Sequence, residues 1–220
     1  DASGKDGTIK HIMSGVNPQG VFVHSFKEPS EEERAHDYLW RSVKVLPARG
    51  EITIFNRSYY EEVLVARVHP DVLARQRLPR ECVDADIWNR RFEEIRSLER
   101  YLFHNGIRVL KFFLHLSKEE QRRRLLDRID TPRKNWKFSA DDLATRRKWN
   151  AFQRAYEDML RYTSTAEAQW YVIPADHKWY SRVAVASIII SVLESLSLEY
   201  PRINAEQKAN LRRYKKMLKK

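Results

Sequence analysis

Short apolar segments alternate with longer amphipathic segments along the chain, and this alternation constrains the fold more than any other feature. Four apolar runs have the length and composition of buried strands, and longer stretches of helical period separate them. Strands that alternate with helices predict an α/β domain with a mainly parallel sheet flanked by helices. The predicted strands are 21–26, 51–55, 109–116 and 170–174.

The segments between these strands have helical spacing and helix-boundary residues. Gly106 supplies a stop after the fourth predicted helix, and Pro132 breaks the chain after the fifth. We therefore predict a loop or lid at 131–138. The predicted helices are 7–13, 31–45, 60–68, 86–104, 118–130, 141–162 and 181–198.

Length and composition indicate one globular domain over 1–220. Hydrophobic residues make up 42% of the chain and charged residues 32%, which excludes a disordered chain. The longest strongly apolar stretch, 183–193, is too short to span a membrane, so we expect no membrane partner. The single cysteine, Cys82, excludes an internal disulfide framework and favours a cytoplasmic protein.

The net charge of +11 requires an anionic partner. Nucleic acid, an acidic membrane surface and a polyanionic substrate meet this requirement equally well. Part of the excess lies in the tail 212–220, which a solvated terminal helix also explains. Charge alone therefore does not choose a function.

The first eight residues, Asp-Ala-Ser-Gly-Lys-Asp-Gly-Thr, resemble half of a phosphate-binding loop. Glycines let backbone N–H groups approach an anion, and the helix that follows adds a favourable dipole. We expect Lys5 to reach the transferred phosphate. The full Walker A pattern needs a further upstream glycine and normally has Ser or Thr after the lysine, so a turn that caps a helix stays an alternative. The candidate phosphate-binding residues here are Gly4, Lys5, Asp6, Gly7 and Thr8.

A polar loop follows the second predicted strand, where Asn56 and Arg57 come directly after the run 51–55. Open α/β folds bind ligands at the carboxyl ends of their strands. Arg57 at that edge can clamp phosphoryl oxygens and stabilise the charge that develops during transfer. From position alone, a loop arginine paired with Glu61 or Glu62 is an equally good interpretation.

Basic residues are concentrated between 122 and 137. Arginines on a hinged segment can close over a phosphorylated substrate and exclude water, so we predict a basic helical lid over 118–162. A solvated helix face is the alternative for such a charge run. The candidate phosphate-binding residues of the lid are Arg122, Arg128, Arg133 and Lys134.

In order and spacing, these elements closely resemble the type-2 polyphosphate kinase family. The resembling strings are DASGKDGTIKHIMSGVNPQGV, VHSFKEPSEEERAHDYLWR, GEITIFNRSYYEEVLVARVHP and RIDTPRKNWKFS, and the match covers nearly the whole chain. The resemblance implies a P-loop kinase fold, similar to thymidylate kinase, with a helical lid. It implies Mg2+-dependent transfer of a terminal phosphoryl group between polyphosphate and the nucleotides AMP, ADP and ATP. It also implies a homo-oligomer.

The resemblance implies roles for individual residues. Asp1 matches the acidic Walker A residue, which helps to hold the metal and orients the acceptor phosphate, and Lys5 matches the Walker A lysine. Asn56 and Arg57 fall where much of the family has Asp-Arg. Asp1, Lys5 and Arg57 are thus the candidate catalytic residues, and Asp1 and Asn56 the candidate Mg2+ ligands. The candidate nucleotide-binding residues are Asp1, Asn17, Asn56 and Glu61.

Asn56 within an FNRSxYE string resembles class III of the family, which phosphorylates both AMP and ADP, and we expect both acceptors. The amide removes one negative charge from the metal site, so Asp1 should contribute more to metal binding. Family members also have a segment and a central strand before the Walker A aspartate. We therefore expect residues upstream of Asp1.

Two other functions stay open on the sequence. An ATP-dependent nucleoside monophosphate kinase has the same core, although the basic lid and the NPQG and FNRS strings argue against it. A non-catalytic nucleic-acid-binding module would use the basic surface alone. No recognised nucleic-acid motif is present, and we expect no nucleic-acid partner.

Overall fold

The computed structural model describes residues 2–200 and 202–219. The chain divides into two compact units, Asp1–Val185 and Ala186–Lys220, and each is described by itself. The single domain over 1–220 stays a prediction. The helices are α1 (Lys5–Met13), α2 (Glu31–Ala35), α3 (Trp40–Val43), α4 (Glu61–Val68), α5 (Pro70–Ala74), α6 (Ile87–His104), α7 (Lys118–Asp130), α8 (Ala140–Arg147), α9 (Trp149–Thr163), α10 (Lys178–Ser195) and α11 (Ala205–Leu218). The strands are β1 (Val21–Ser25), β2 (Ile52–Asn56), β3 (Lys111–His115) and β4 (Trp170–Pro174).

All four predicted strands form, and their parallel pairing confirms the predicted α/β fold. β1 pairs with β2 and β3 pairs with β4, so the described residues form two separate two-stranded sheets. In the first sheet Val21 lies opposite Ile52, and Ser25 lies opposite Asn56. Ser25 and Asn56 therefore share the carboxyl edge, where open α/β proteins bind ligands.

The predicted helix 31–45 is wrong in extent, because it is divided into α2 and α3. His36 ends α2 with an extended backbone at ψ 172°. The Asp37 carboxylate then accepts hydrogen bonds from Leu39 N at 2.9 Å and Trp40 N at 3.1 Å. Such a local side-chain turn competes with the helical hydrogen bonds, which explains the break.

The predicted helix 141–162 is also wrong in extent, because the chain turns at Lys148 between α8 and α9. Lys148 has φ −91° and ψ 17°, in the bridge region rather than the helical one. α8 begins in a capping box at Ser139. Before it, the predicted loop contains a 3-10 helix, Pro132–Lys137, with proline in its first turn. Closure of the lid 118–162 stays a prediction.

The core of the first unit lies between α4, α6 and α9. Val63 and Ile95 are fully buried there, and Met159 is 1% exposed. Each such side chain contributes about 1.5–3 kcal/mol through its removal from water. Tyr59 and Tyr60 belong to the same cluster. The residues that follow β2 are thus anchored in the core.

The second unit contains the end of α10 and the helix α11. α11 begins in a capping box, in which Asn204 Oδ1 accepts from Gln207 N and Gln207 Oε1 accepts from Asn204 N, both at 2.8 Å. The tail predicted as a solvated helix falls largely within α11, where Tyr214 and Leu218 are exposed. Within the described part of the chain, no helix combines the length and hydrophobicity needed to cross a membrane.

Candidate active site

The loop before α1 contains two residues with a left-handed backbone. Gly4 is the N-cap of α1 at φ +95°, and Ala2 also has a positive φ of 72°. The first helical hydrogen bond runs from Thr8 N to Gly4 O at 3.0 Å. The N–H groups of a first helical turn have no intrahelical acceptor, so they are directed out of the helix end. The predicted residues Gly4, Lys5, Asp6, Gly7 and Thr8 are therefore brought together at the start of α1.

Asn56 joins this loop to the end of the first sheet. Its Nδ2 donates to Asp6 Oδ1 at 2.9 Å and to Ser25 Oγ at 3.3 Å. Lys5 Nζ lies 3.5 Å from the same Asp6 oxygen. Partial burial raises the pKa of Asp6, but the Asn56 hydrogen bond and the Lys5 charge outweigh it and leave that pKa below its usual value. Asp6 is thus a carboxylate at neutral pH.

The other end of the Asn56 amide is an unsatisfied acceptor. Asn56 Oδ1 is buried and has no hydrogen-bond partner among the described residues. Asp6 fixes the orientation of the Asn56 amide, because the flipped amide would place Asn56 Oδ1 against Asp6 Oδ1, and both atoms are acceptors. A buried oxygen without a donor suits a hard cation such as Mg2+, which often takes only one or two protein oxygens and fills its other positions with water and phosphate. Asp1, the second predicted metal ligand, lies outside the described residues.

No larger metal cluster is present in the part of the chain that the structure describes. No group of three or more His, Cys, Asp or Glu side chains there converges to hold a metal ion. A dedicated cage is not required for Mg2+ at a phosphate site. The residues present therefore fit an ion that is shared with a phosphorylated substrate.

Arg57 and Glu61 form the second part of the site. Arg57 adopts a left-handed backbone at φ 64°, which costs about 1–2 kcal/mol for a residue with a side chain. Burial raises the pKa of Glu61, and the charges of Arg57 and Lys5 act against that rise. Burial and the charge of Glu61 also raise the pKa of Tyr156, which lies in α9, to about 12. Lys5, Arg57, Glu61 and Tyr156 are thus within electrostatic reach of one another.

The predicted lid cations are engaged mainly with their own segment. The backbone carbonyl of Arg133 accepts a hydrogen bond from Trp136 Nε1 at 3.1 Å. The pairs of Arg122 and Lys134 are accessible to solvent, and such pairs are worth about 0–1 kcal/mol, so phosphate oxygens can replace those carboxylates at little cost. The pair of Arg128 is different, because its partner Asp142 is buried. The ion pairs are Arg122 with Glu119, Arg128 with Asp142 at 3.1 Å, and Lys134 with Asp127 at 2.6 Å.

Asn17 lies apart from these contacts. It is the N-cap of the short helix Pro18–Gly20, and its side chain accepts from Gln19 N at 3.0 Å. The side chain is exposed, and a turn-capping role explains its position. Its role in nucleotide binding stays a prediction.

Comparison with known proteins identifies the family. Residues 1–201 match the model of the family described as Polyphosphate kinase 2 (PPK2). The chain belongs to this family. Its match spans both parts of the site, the Lys5 loop and the Asn56-Arg57 loop, as well as the lid segment.

Individual relatives support the same assignment. The chain is 50% identical over 221 residues to the ADP-polyphosphate phosphotransferase of Rhodopseudomonas palustris, covering 100% of this chain and 76% of the relative. It is 49% identical over 201 residues to the AMP/ADP-polyphosphate phosphotransferase of Meiothermus ruber, covering 91% and 71%. The crystal structure of Polyphosphate Kinase 2 from Arthrobacter aurescens TC1 superposes with a TM-score of 0.86 at 38% identity, covering 96% of this chain and 71% of that one. The fold of this family is therefore confirmed for the chain.

Sequence reasoning missed several residues beside the site. Tyr156 carries no motif and resembles any aromatic residue of a helix core. Lys137 lies within the basic segment 122–137, and its charge also lowers the pKa of Asp6. Arg182 of α10 packs beside the loop, since a Cβ on Gly7 would lie 3.6 Å from its Nη2. These residues come from distant segments, so only the fold brings them to the start of α1.

Proposed function

We propose that the chain transfers the terminal phosphoryl group of inorganic polyphosphate to AMP and to ADP, reversibly. The observation that carries the proposal is the junction of Lys5, Asp6 and Asn56 at the start of α1, within a chain that matches the polyphosphate kinase 2 family. The names of the Rhodopseudomonas and Meiothermus relatives support ADP and AMP as acceptors. The net charge of +11 supports a polyanionic donor.

Phosphoryl transfer depends on positioning and charge neutralisation more than on covalent help from the protein. Lys5 and the N–H groups of the first turn of α1 bind the oxygens of the migrating group. Arg57 neutralises the same group from the β2 side. The electrostatic coupling of Arg57 to Glu61 supports this, because it places the guanidinium charge beside the Lys5 loop.

Asn56 Oδ1 and Asp1 are the proposed Mg2+ ligands. The buried, unsatisfied oxygen of Asn56 supports this assignment for the described part of the site. When bound, the ion neutralises charge on the phosphate oxygens that it contacts. Asp1 orients the attacking oxygen of the nucleotide, and Asn17 and Glu61 contribute to the nucleotide site.

The lid segment 118–162 binds the polyphosphate chain in this proposal. Arg122 and Lys134 exchange their carboxylate partners for phosphate when the lid closes, and Arg133 adds a further charge. Arg128 keeps the buried Asp142 as a partner of its Nη1 and contacts phosphate through its other N–H groups. The exposed position of the pair Arg122–Glu119 supports such an exchange, because it is already solvated. Binding should weaken with salt, since each contact neutralises a substrate charge.

We also propose a homo-oligomer in the cytoplasm. The family resemblance supports the oligomer, and light scattering of the purified protein tests it. The free, exposed thiol of Cys82 supports a reducing compartment.

Nucleotide analysis tests the acceptor assignment. The protein is mixed with Mg2+ and long-chain polyphosphate, and either AMP or ADP is added without ATP. We expect ADP and then ATP from AMP, and ATP from ADP. ATP formed from ADP alone would reject AMP as an acceptor. ADP formed from ATP and AMP, without transfer from polyphosphate, would instead support an ATP-dependent nucleoside monophosphate kinase.

A further inference from the structure

Arg124 differs from every other arginine of the basic segment in its surroundings. It lies within α7 and is 6% exposed. Its Nε donates to Glu120 Oε1 at 2.7 Å, and its Nη1 donates to the carbonyls of Ala2 and Ser3 at 3.0 Å each. Its Nη2 donates to two further carbonyls, those of Ala175 at 2.6 Å and Asp176 at 3.0 Å. A guanidinium has five N–H donors, so this side chain is saturated by protein acceptors.

The carbonyls that Arg124 binds belong to two separate loops. Ala2 and Ser3 directly precede Gly4, the N-cap of α1, whereas Ala175 and Asp176 directly follow β4. The guanidinium therefore fixes the loop before α1 to the carboxyl edge of the second sheet. Because the carbonyls face Arg124, the loop is held in the orientation that leaves the opposite face to a ligand.

The conformation of this loop needs such support. Ala2 and Gly4 both have positive φ values, 72° and 95°. Left-handed backbone persists for a non-glycine residue only where surrounding contacts impose it. Arg124 Nη1 donates one hydrogen bond to the carbonyl of Ala2 and one to that of Ser3, which lies between Ala2 and Gly4.

The neighbouring Arg123 provides a contrast on the same helix. Its side chain is 68% exposed, and it also pairs with Glu120, through Nε to Oε2 at 2.6 Å. Both arginines thus share one carboxylate and carry the same charge. They differ in that Arg124 reaches the loop carbonyls whereas Arg123 faces solvent.

We propose that Arg124 is a positioning residue that locks the phosphate loop to the end of β4, and that it does not bind polyphosphate. The proposal rests on the proposed function of this site. Arg124 also ties the turn of α7 that carries it to the core, and Leu125, the next residue, is buried as well.

The test compares Arg124→Lys with Arg123→Lys. Each substitution keeps the positive charge but replaces the forked guanidinium, with its five N–H donors, by an ammonium. We expect Arg124→Lys to lower kcat by about tenfold or more, because small displacements of reacting groups have large rate effects. The KM for polyphosphate and its salt dependence should stay near those of the parent. Arg123→Lys should keep the parental kcat. Melting curves confirm that each assay is run on folded protein.

Two outcomes overturn the proposal. A raised KM with a weaker salt dependence and a parental kcat would make Arg124 a polyphosphate ligand. A parental kcat and KM would remove any role in positioning. If Arg124→Lys does not fold, Glu120→Ala serves instead, because it removes the acceptor of Arg124 Nε. A parental kcat for that variant would equally contradict the proposal.

The activity of the parent protein in the same assay distinguishes a failure of the proposed function from a failure of the proposed role of Arg124. A parent that transfers nothing from polyphosphate contradicts the proposed function, and the ratio of the two kcat values is then measured with ATP as the donor and AMP as the acceptor. An active parent with an unchanged Arg124→Lys variant contradicts only the role of Arg124.

Discussion

Lys111 Nζ and Glu99 Oε2 form an ion pair of 2.7 Å in which the side chains are 4% and 1% exposed. Lys111 also donates to Thr163 O at 2.7 Å. The second carboxylate oxygen of Glu99 accepts from the hydroxyls of Tyr59 at 2.9 Å and Tyr60 at 2.8 Å. The two tyrosines come directly after the Arg57 loop. The buried pair therefore holds the backbone that carries the second half of the site.

Removing the charge of Glu99 should destabilise the fold strongly. Glu99→Gln leaves the Lys111 ammonium buried without a counter-charge, and breaking a buried pair in this way costs about 3–5 kcal/mol. Urea unfolding measures the change in the free energy of unfolding. Glu93→Gln is the matched control, because Glu93 is exposed on the same helix and its substitution should change stability by about 0.5 kcal/mol or less. Equal effects of the two substitutions would contradict the importance of the pair.

Lys5 should be required for turnover but not for folding. Lys5→Ala removes the cation that neutralises the migrating phosphoryl group, and loss of one such group typically costs about 100-fold or more in kcat. Circular dichroism and the melting temperature should stay close to those of the parent. Lys10→Ala, which removes an exposed cation from the same helix, should keep parental activity. Normal turnover by Lys5→Ala would disprove the catalytic role of Lys5.

Glu61 should make stability depend on pH in a defined direction. Its folded pKa lies above the usual 4.5, mainly through burial. A raised folded pKa gives stability that is present below the unfolded pKa and is lost as pH rises through the folded pKa. The free energy of unfolding of the parent, minus that of Glu61→Gln, should therefore decrease as pH rises from below 4.5 towards neutrality. Denaturant unfolding across that range measures it, and a difference that increases with pH would refute the pKa shift.

Asn56→Asp should couple the metal to stability. The new carboxylate would lie beside that of Asp6, in place of the 2.9 Å hydrogen bond, and like charges at that separation repel. Without Mg2+ the melting temperature should fall. Added Mg2+ should then raise it more in the variant than in the parent, because the cation neutralises the repulsion. A Mg2+ response identical to that of the parent would argue against a metal site at Asn56.

Local patterns were sufficient to predict the strands and to select the two loops of the candidate site. The apolar runs identified all four strands, and the glycines around Lys5 marked the loop. The rule that ligands bind at the carboxyl edge of parallel strands singled out Asn56 and Arg57. The fold then brings Asn56 to the Lys5 loop through its hydrogen bond to Asp6.

Features that depend on tertiary contacts were not predictable. Arg123 and Arg124 are identical and adjacent in sequence, yet a rotation of about 100° around the helix axis places one in solvent and the other against the loop carbonyls. The break at His36 contains no glycine or proline that could have predicted it. The Asp37 side chain produces the break instead. Tyr156 reaches the site only through the packing of α9.

Transfer of label from polyphosphate tests the central claim most directly. Polyphosphate labelled with ³²P is mixed with Mg2+, unlabelled AMP and the protein, with Lys5→Ala as the control. We predict that label appears in ADP and then in ATP with the parent, and stays in polyphosphate with the variant. Label that stays in polyphosphate with the active, folded parent, while ATP and AMP yield ADP, would contradict the assignment of polyphosphate as the donor.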